Sequence, residues 1–137
     1  MRKRAFAMSD APAKSVLVVE DNELNMRLFC DLLDSFGYQT FKCRDGATVM
    51  EIARQELPDL IIMDIQLPEV SGLDITRWLK DDEDISHIPV LAVTAFAMRD
   101  DEQRVREAGC EGYLSKPIQI GSFMRAVKEL ISEDQSA

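Results

Sequence analysis

Four short, mostly apolar runs punctuate the chain at residues 16–19, 60–63, 90–93 and 112–115, and between them apolar positions return every three or four residues. Short apolar runs bounded by turn signals read as buried strands, and the three-to-four spacing reads as amphipathic helix. After the first run, Asn22 is placed to cap a helix carrying Leu24, Leu28, Leu32, Leu33 and Phe36, with Gly37 ending it. Residues 38–43 read as a further strand. Asp45 then caps a helix with Val49, Met50, Ala53 and Leu57, which Pro58 stops. Ser71 precedes a helix with Ile75, Trp78 and Leu79, Pro89 opens the next strand, and Gly109 closes a charged helix. Phe123, Met124, Val127, Leu130 and Ile131 mark the last helix.

Continuous Val, Leu and Ile in a strand suits a sheet covered on both faces, and regular alternation of strand with helix implies right-handed parallel crossovers. The pattern predicts an α/β fold: a doubly wound, five-stranded parallel sheet with five helices and the flavodoxin-like order 2-1-3-4-5. One domain is expected over residues 14–132, between a flexible leader at 1–13 and a frayed tail at 133–137. Met8 is an alternative start. No repeat, low-complexity stretch, linker or second domain is evident in the 137 residues.

Charge narrows the classes of partner. Sixteen basic against 25 acidic residues give a net charge of −9, which opposes nonspecific attraction to nucleic acid or anionic membrane. The basic cluster Arg2, Lys3, Arg4 reads as part of the leader rather than a binding arm. No run has the length of a signal peptide core or a membrane span, so a cytoplasmic protein without membrane insertion is expected. Cys30, Cys43 and Cys110 are odd in number and widely spaced, which argues for reduced core thiols over a disulfide framework or a zinc site. His87, the single histidine, falls in a loop before the fourth strand and leaves no serine triad or internal phosphohistidine relay.

The chemistry gathers at strand ends. The four runs lead into Glu20-Asp21, Asp64, Thr94 and Lys116, and in an open parallel sheet ligands bind beyond the carboxyl ends of the strands, where the order reverses. Order 2-1-3-4-5 puts Glu20-Asp21 beside Asp64. Carboxylates about 4 Å apart repel by up to about 4 kcal/mol per pair at an effective dielectric near 20. A hard divalent cation relieves that repulsion, and Mg2+, with Mn2+ as an alternative, completes its shell with water and phosphoryl oxygens. Asp64, ending the central strand, is the candidate nucleophile forming an aspartyl phosphate. Lys116 can pair with a second phosphoryl oxygen, and the Thr94 hydroxyl can donate to a third.

Val18-Val19-Glu20-Asp21-Asn22, Met63-Asp64-Ile65-Gln66-Leu67-Pro68, Val93-Thr94-Ala95 and Lys116-Pro117 together resemble the receiver domain of two-component response regulators over residues 14–132. The resemblance implies phosphorylation of Asp64 by a phosphohistidine on a sensor histidine kinase or phosphotransfer protein. It also implies a metal held by Glu20, Asp21, Asp64 and the backbone carbonyl of Gln66, with Glu-Asp standing where the family commonly has Asp-Asp. Thr94 and Tyr113 match the family's switch residues, which remodel the surface around the fourth helix. The charged segment at 99–107 has little apolar anchoring and suits such a shift. Asn25, Met26 and Ile118 are candidate kinase-docking positions. Glu20-Asp21-Asn22-Glu23-Leu24-Asn25-Met26 and Thr94-Ala95-Phe96-Ala97-Met98 look like the DivK-type single-domain regulators of cell division and polarity. That likeness implies signalling by protein contact with kinases and kinase-like proteins, and control of the cell cycle, by a monomer or weak dimer.

Two other classes share some of this chemistry. A haloacid-dehalogenase-like phosphatase also uses a strand-end Asp and magnesium, but needs a general acid two residues on, where this chain has Gln66. A chemotaxis-type single-domain regulator of a flagellar motor shares the site and differs in its partner surface. A DNA-binding regulator is disfavoured, because neither a helix-turn-helix nor a basic surface is evident. Gln66 and Phe96, two residues beyond Asp64 and Thr94, are expected to influence water access to the phosphoryl group.

Overall fold

The computed structural model describes residues 13–95 and 99–136. The proposed start at Met8, nearly all of the leader, Ala137 and the shielding residue Phe96 lie outside the described residues.

Strands β1 (Ser15–Val19), β2 (Gln39–Cys43), β3 (Leu60–Asp64), β4 (Val90–Thr94) and β5 (Gly112–Ser115) form one parallel sheet in the order β2-β1-β3-β4-β5. Helices α1 (Glu23–Ser35), α2 (Val49–Glu56), α3 (Gly72–Asp81), α4 (Arg99–Ala108) and α5 (Ile120–Ser136) connect or follow the strands. A 3-10 turn, Gly46–Thr48, leads into α2. The predicted doubly wound order is the observed one. Every residue of β3 and β4 is buried, because helices cover both sheet faces and leave no solvent side for a polar alternation.

Side-chain alternation splits the core in two. Val16, Val18, Leu60, Ile62, Leu91 and Val93 face α1 and α5, where Phe29 and Phe123 stack with ring centroids 5.4 Å apart. Leu17, Val19, Ile61, Met63, Val90 and Ala92 face the other way, toward Ala53, Ile75, Leu79 and Val105. Alternate strand positions thus supply two separate apolar layers.

Local signals act where the pattern places them. The Asn22 side chain accepts from the Asn25 amide at 2.9 Å, Asp45 from Thr48 at 3.1 Å and Ser71 from Leu73 at 3.1 Å. Each satisfies an amide that a helix start leaves without a partner. Two expectations need correction. The buried stripe of α1 is Met26, Phe29, Cys30 and Leu33, while Leu24, Leu28 and Phe36 are exposed. Leu57 is not a core residue of α2: it caps the helix in the left-handed region at φ 48° and is exposed. Pro58 disfavours helical geometry in the residue before it, so the chain leaves α2 at Leu57. Trp78, on the same helix as buried Ile75 and Leu79, is 45% exposed. Among the described residues no helix is long and apolar enough to cross a membrane, and the three cysteines are buried free thiols.

Candidate functional site

The carboxyl ends of β1, β3, β4 and β5 assemble the chemistry. Glu20 follows β1 and stays in the sheet through its amide, which donates to the Cys43 carbonyl at 3.0 Å. Asp64 is the last residue of β3 and pairs in register with Val93, and Thr94 pairs with Ser115. Lys116 comes next; its amide donates to the Thr94 carbonyl at 2.7 Å, and the peptide bond to Pro117 is cis.

One carboxylate oxygen from each of Glu20, Asp21 and Asp64 lies within 4.8 Å of the others. Glu20 and Asp64 are buried, whereas Asp21 is exposed. The Lys116 ammonium lies 3.1 Å from Glu20 and 3.6 Å from Asp64. Among the described residues, Lys116 therefore pairs with two of the three clustered carboxylates. Burial is the main cause that raises the Glu20 carboxyl above its ordinary range, and the Asp64 charge adds to it. The Asn22 amide, donating to Glu20 at 3.1 Å, and Lys116 oppose the rise without cancelling it. An all-oxygen, anionic donor set with only partial internal compensation fits a hard divalent cation.

The loop after β3 is held tightly. The Gln66 amide donates to Asp64 Oδ1 at 2.9 Å, and the Gly72 amide donates to the Ile65 carbonyl at 3.3 Å. A Cβ at Gly72 would lie 2.5 Å from the Asp64 carbonyl oxygen and 2.6 Å from Ile65 Cα. Only glycine lets the start of α3 approach Asp64 this closely. The Gln66 side chain turns toward β4, where its Oε1 accepts from the Ala95 amide at 3.0 Å and from the Thr94 hydroxyl at 3.3 Å.

The remaining candidates separate. Tyr113 is half-buried on β5 and packs against the α3/α4 core layer. In α4, Val105 and Ala108 are buried among otherwise polar described side chains. Asn25 is half-buried, and Ile118 is half-buried in a depression shared with Leu114 and Pro117. Met26 is only 3% exposed, which corrects its assignment as a docking residue, because its side chain packs into the core beneath α1. The exposed apolar residues on this side are instead Leu24 and Leu28 of α1 and Ile120 of α5. For Leu24 and Leu28 the signal in the sequence was an apolar residue on the helix face opposite the buried stripe, whereas Ile120 lies in line with the buried Phe123, Met124 and Val127 and carried no such signal. His87 is exposed in the loop before β4.

A profile of the response regulator receiver domain matches residues 16–128. The chain is 58% identical over 120 residues to the polar-differentiation response regulator DivK of Brucella ovis, covering 88% of this chain and 98% of that one. It is 33% identical to the signal receiver domain of a signal transduction histidine kinase from Syntrophus aciditrophicus, with a TM-score of 0.81 over 88% of this chain and 92% of that chain. A receiver domain of a sensor histidine kinase from Pseudomonas aeruginosa PAO1 is 31% identical, with a TM-score of 0.81 over 88% of this chain and 98% of that chain. That receiver carries a magnesium ion coordinated in its active site cleft.

Proposed function

This chain belongs to the response regulator receiver family, and from that membership we propose that it accepts a phosphoryl group on Asp64 and signals through protein contacts that depend on it. The observation that carries the proposal is the buried Asp64 carboxylate at the end of the central strand, clustered with Glu20 and Asp21 and faced by Lys116. An Asp64 oxygen attacks the phosphorus of a phosphohistidine; the new O–P bond forms as the N–P bond breaks, and the imidazole nitrogen keeps the electron pair. Glu20, Asp21, Asp64 and the Gln66 carbonyl would hold Mg2+, which supplies charge neutralisation on the transferring group when bound. Lys116 is placed to offset charge on a phosphoryl oxygen, and Thr94, at the end of the neighbouring strand, supplies a hydroxyl donor.

The donor is a sensor histidine kinase or a phosphotransfer protein. Asn25 and Ile118, beside the site at the starts of α1 and α5, are proposed contacts for it. Thr94 and Tyr113 are the proposed switch, read out by partners at α4. Identity of 58% across nearly the full length of a polar-differentiation regulator supports cell-division and polarity control in the cytoplasm over action on a flagellar motor. Acetyl phosphate with magnesium should label the wild type and fail to label Asp64→Asn, which should stay folded. Mass spectrometry that located the phosphoryl group on another residue would reject Asp64 as acceptor. Pull-downs comparing the two proteins should lose kinase-like and cell-cycle partners with the variant, and recovery of flagellar motor components instead would redirect the role.

A further inference from the structure

The side chain of Gln66 does something its position in the metal shell does not require. Its amide reaches across from the β3–α3 loop to the end of β4 and meets two donors, the Ala95 N–H at 3.0 Å and the Thr94 hydroxyl at 3.3 Å. The Ala95 N–H can only donate, so the atom facing it is the carbonyl oxygen of the amide, which takes both bonds through its two lone pairs. At the same time the backbone of Gln66 holds Asp64 Oδ1 at 2.9 Å. One residue therefore grips the phosphoacceptor with its main chain and the end of the neighbouring strand with its side chain.

We infer that the Gln66 amide oxygen stands in for a phosphoryl oxygen in the unmodified protein, holding the Thr94 hydroxyl and the Ala95 amide until a phosphoryl group on Asp64 takes them over. This rests on Asp64 being the acceptor. A backbone N–H and a hydroxyl at the end of the strand that neighbours Asp64, directed at one oxygen, form a small oxyanion cradle, and an amide fills it with matched hydrogen bonds. A neutral occupant is required. A carboxylate here would add a fourth negative charge beside Glu20, Asp21 and Asp64, whereas the amide offers the acceptor without the charge. Gln66 is thus a positioning residue that keeps Thr94 and Ala95, at the end of β4, in their resting place, and modification of Asp64 must break two hydrogen bonds before making its own. The latch sets a threshold for switching.

The test uses beryllofluoride with magnesium as the phosphoryl analogue, and solvent exchange of the Ala95 amide as a readout independent of transfer. Gln66→Met keeps the length and removes the acceptor. It should bind beryllofluoride about fivefold more tightly, because about one net hydrogen bond no longer has to be broken. Ala95 exchange should rise at least severalfold in the free variant and return to slow on beryllofluoride binding. Gln66→Ala serves if the Met variant fails to fold. The latch is overturned if the wild type binds beryllofluoride while Gln66→Met binds it equally or more weakly. It is also overturned if Ala95 exchange in the free Gln66→Met variant is as slow as in the wild type. A wild type that takes up no beryllofluoride would overturn the acceptor role of Asp64 itself, and the latch with it.

Discussion

Two lysines, Lys80 and Lys116, have side chains equally withdrawn from solvent, at 17% exposure each, yet their surroundings differ in kind. Lys80 leaves the end of α3 at the amino edge of the sheet. Its ammonium donates to the carbonyls of Ser86 at 3.2 Å and Ile88 at 2.9 Å and to Glu111 Oε2 at 2.7 Å. The other Glu111 oxygen accepts from the Val90 amide at 2.8 Å. That network is closed: three donors meet three acceptors, and one charge meets one. Lys116 at the carboxyl edge meets Glu20 and Asp64 with Asp21 close by, so negative charge is left over. A buried ionic group is tolerated when its partners are complete. The amino edge is completed by the protein, and the carboxyl edge is built so that something from solution must complete it.

The two edges should respond oppositely to repair from outside. Lys80→Met strips a donor from two carbonyls and a carboxylate and is expected to cost about 2 kcal/mol, since Glu111 is half-open to water that recovers part of the loss. For a domain of this size that lowers Tm by about 8 °C, and added magnesium should not restore it. Lys116→Met should also destabilise the metal-free protein, because Glu20 and Asp64 lose the cation between them. Here magnesium should recover most of the loss, while labelling by acetyl phosphate falls more than tenfold. Calorimetry with and without the ion decides it; equal magnesium rescue of both variants would break the distinction.

A smaller effect, of opposite sign, is expected at Glu20. Burial and the Asp64 charge raise its carboxyl above the ordinary glutamate value, so the folded chain binds that proton more tightly than the unfolded one. The stabilisation from this group is complete below the unfolded pKa and is lost as pH rises through the higher folded value. Glu20→Gln should therefore flatten the decline in stability from mildly acidic to neutral pH. At neutral pH it should raise the stability of the metal-free protein by on the order of 1 kcal/mol. Magnesium binding should weaken in the same variant, so the stability gained is matched by affinity lost. Thermal unfolding across this range, with a magnesium titration, measures both, and an unchanged pH slope would remove the strain assigned to Glu20.

Much of this was legible in the residues. Parallel strands announce themselves as unbroken apolar runs, and once the doubly wound order 2-1-3-4-5 is taken, the meeting of Glu20, Asp21, Asp64 and Lys116 could be anticipated from the strand ends. Capping by Asn22, Asp45 and Ser71 is a short-range effect and was equally readable. Two kinds of information were not. The reach of the Gln66 side chain to Thr94 and Ala95 depends on how two loops from non-consecutive elements approach each other, which no periodicity records. The facing of α1 was hidden because apolar residues occur all around it. At 100° per residue, Leu24 and Leu28 lie roughly 160° from the middle of the Met26, Phe29, Cys30 and Leu33 stripe, and either set could have been taken for the core side.

That ambiguity in α1 leads to the mildest prediction and returns to the two edges. Leu24 is 76% exposed in the first turn of α1, at the carboxyl edge, where the chain requires outside partners; a leucine there adds nothing to the core. Leu24→Ser should change stability by no more than about 0.5 kcal/mol, as surface substitutions do, and should leave labelling by acetyl phosphate intact. A small donor can reach Asp64 without touching α1, whereas a phosphotransfer protein using the proposed contact at Asn25 would lie across the helix start. If the exposed leucine serves that contact, the variant should slow phosphoryl transfer from a kinase or phosphotransfer protein while its rate with acetyl phosphate stays unchanged. Equal rates with both donors would make Leu24 an ordinary exposed apolar residue and confine the partner-dependent character of this edge to its charged cluster.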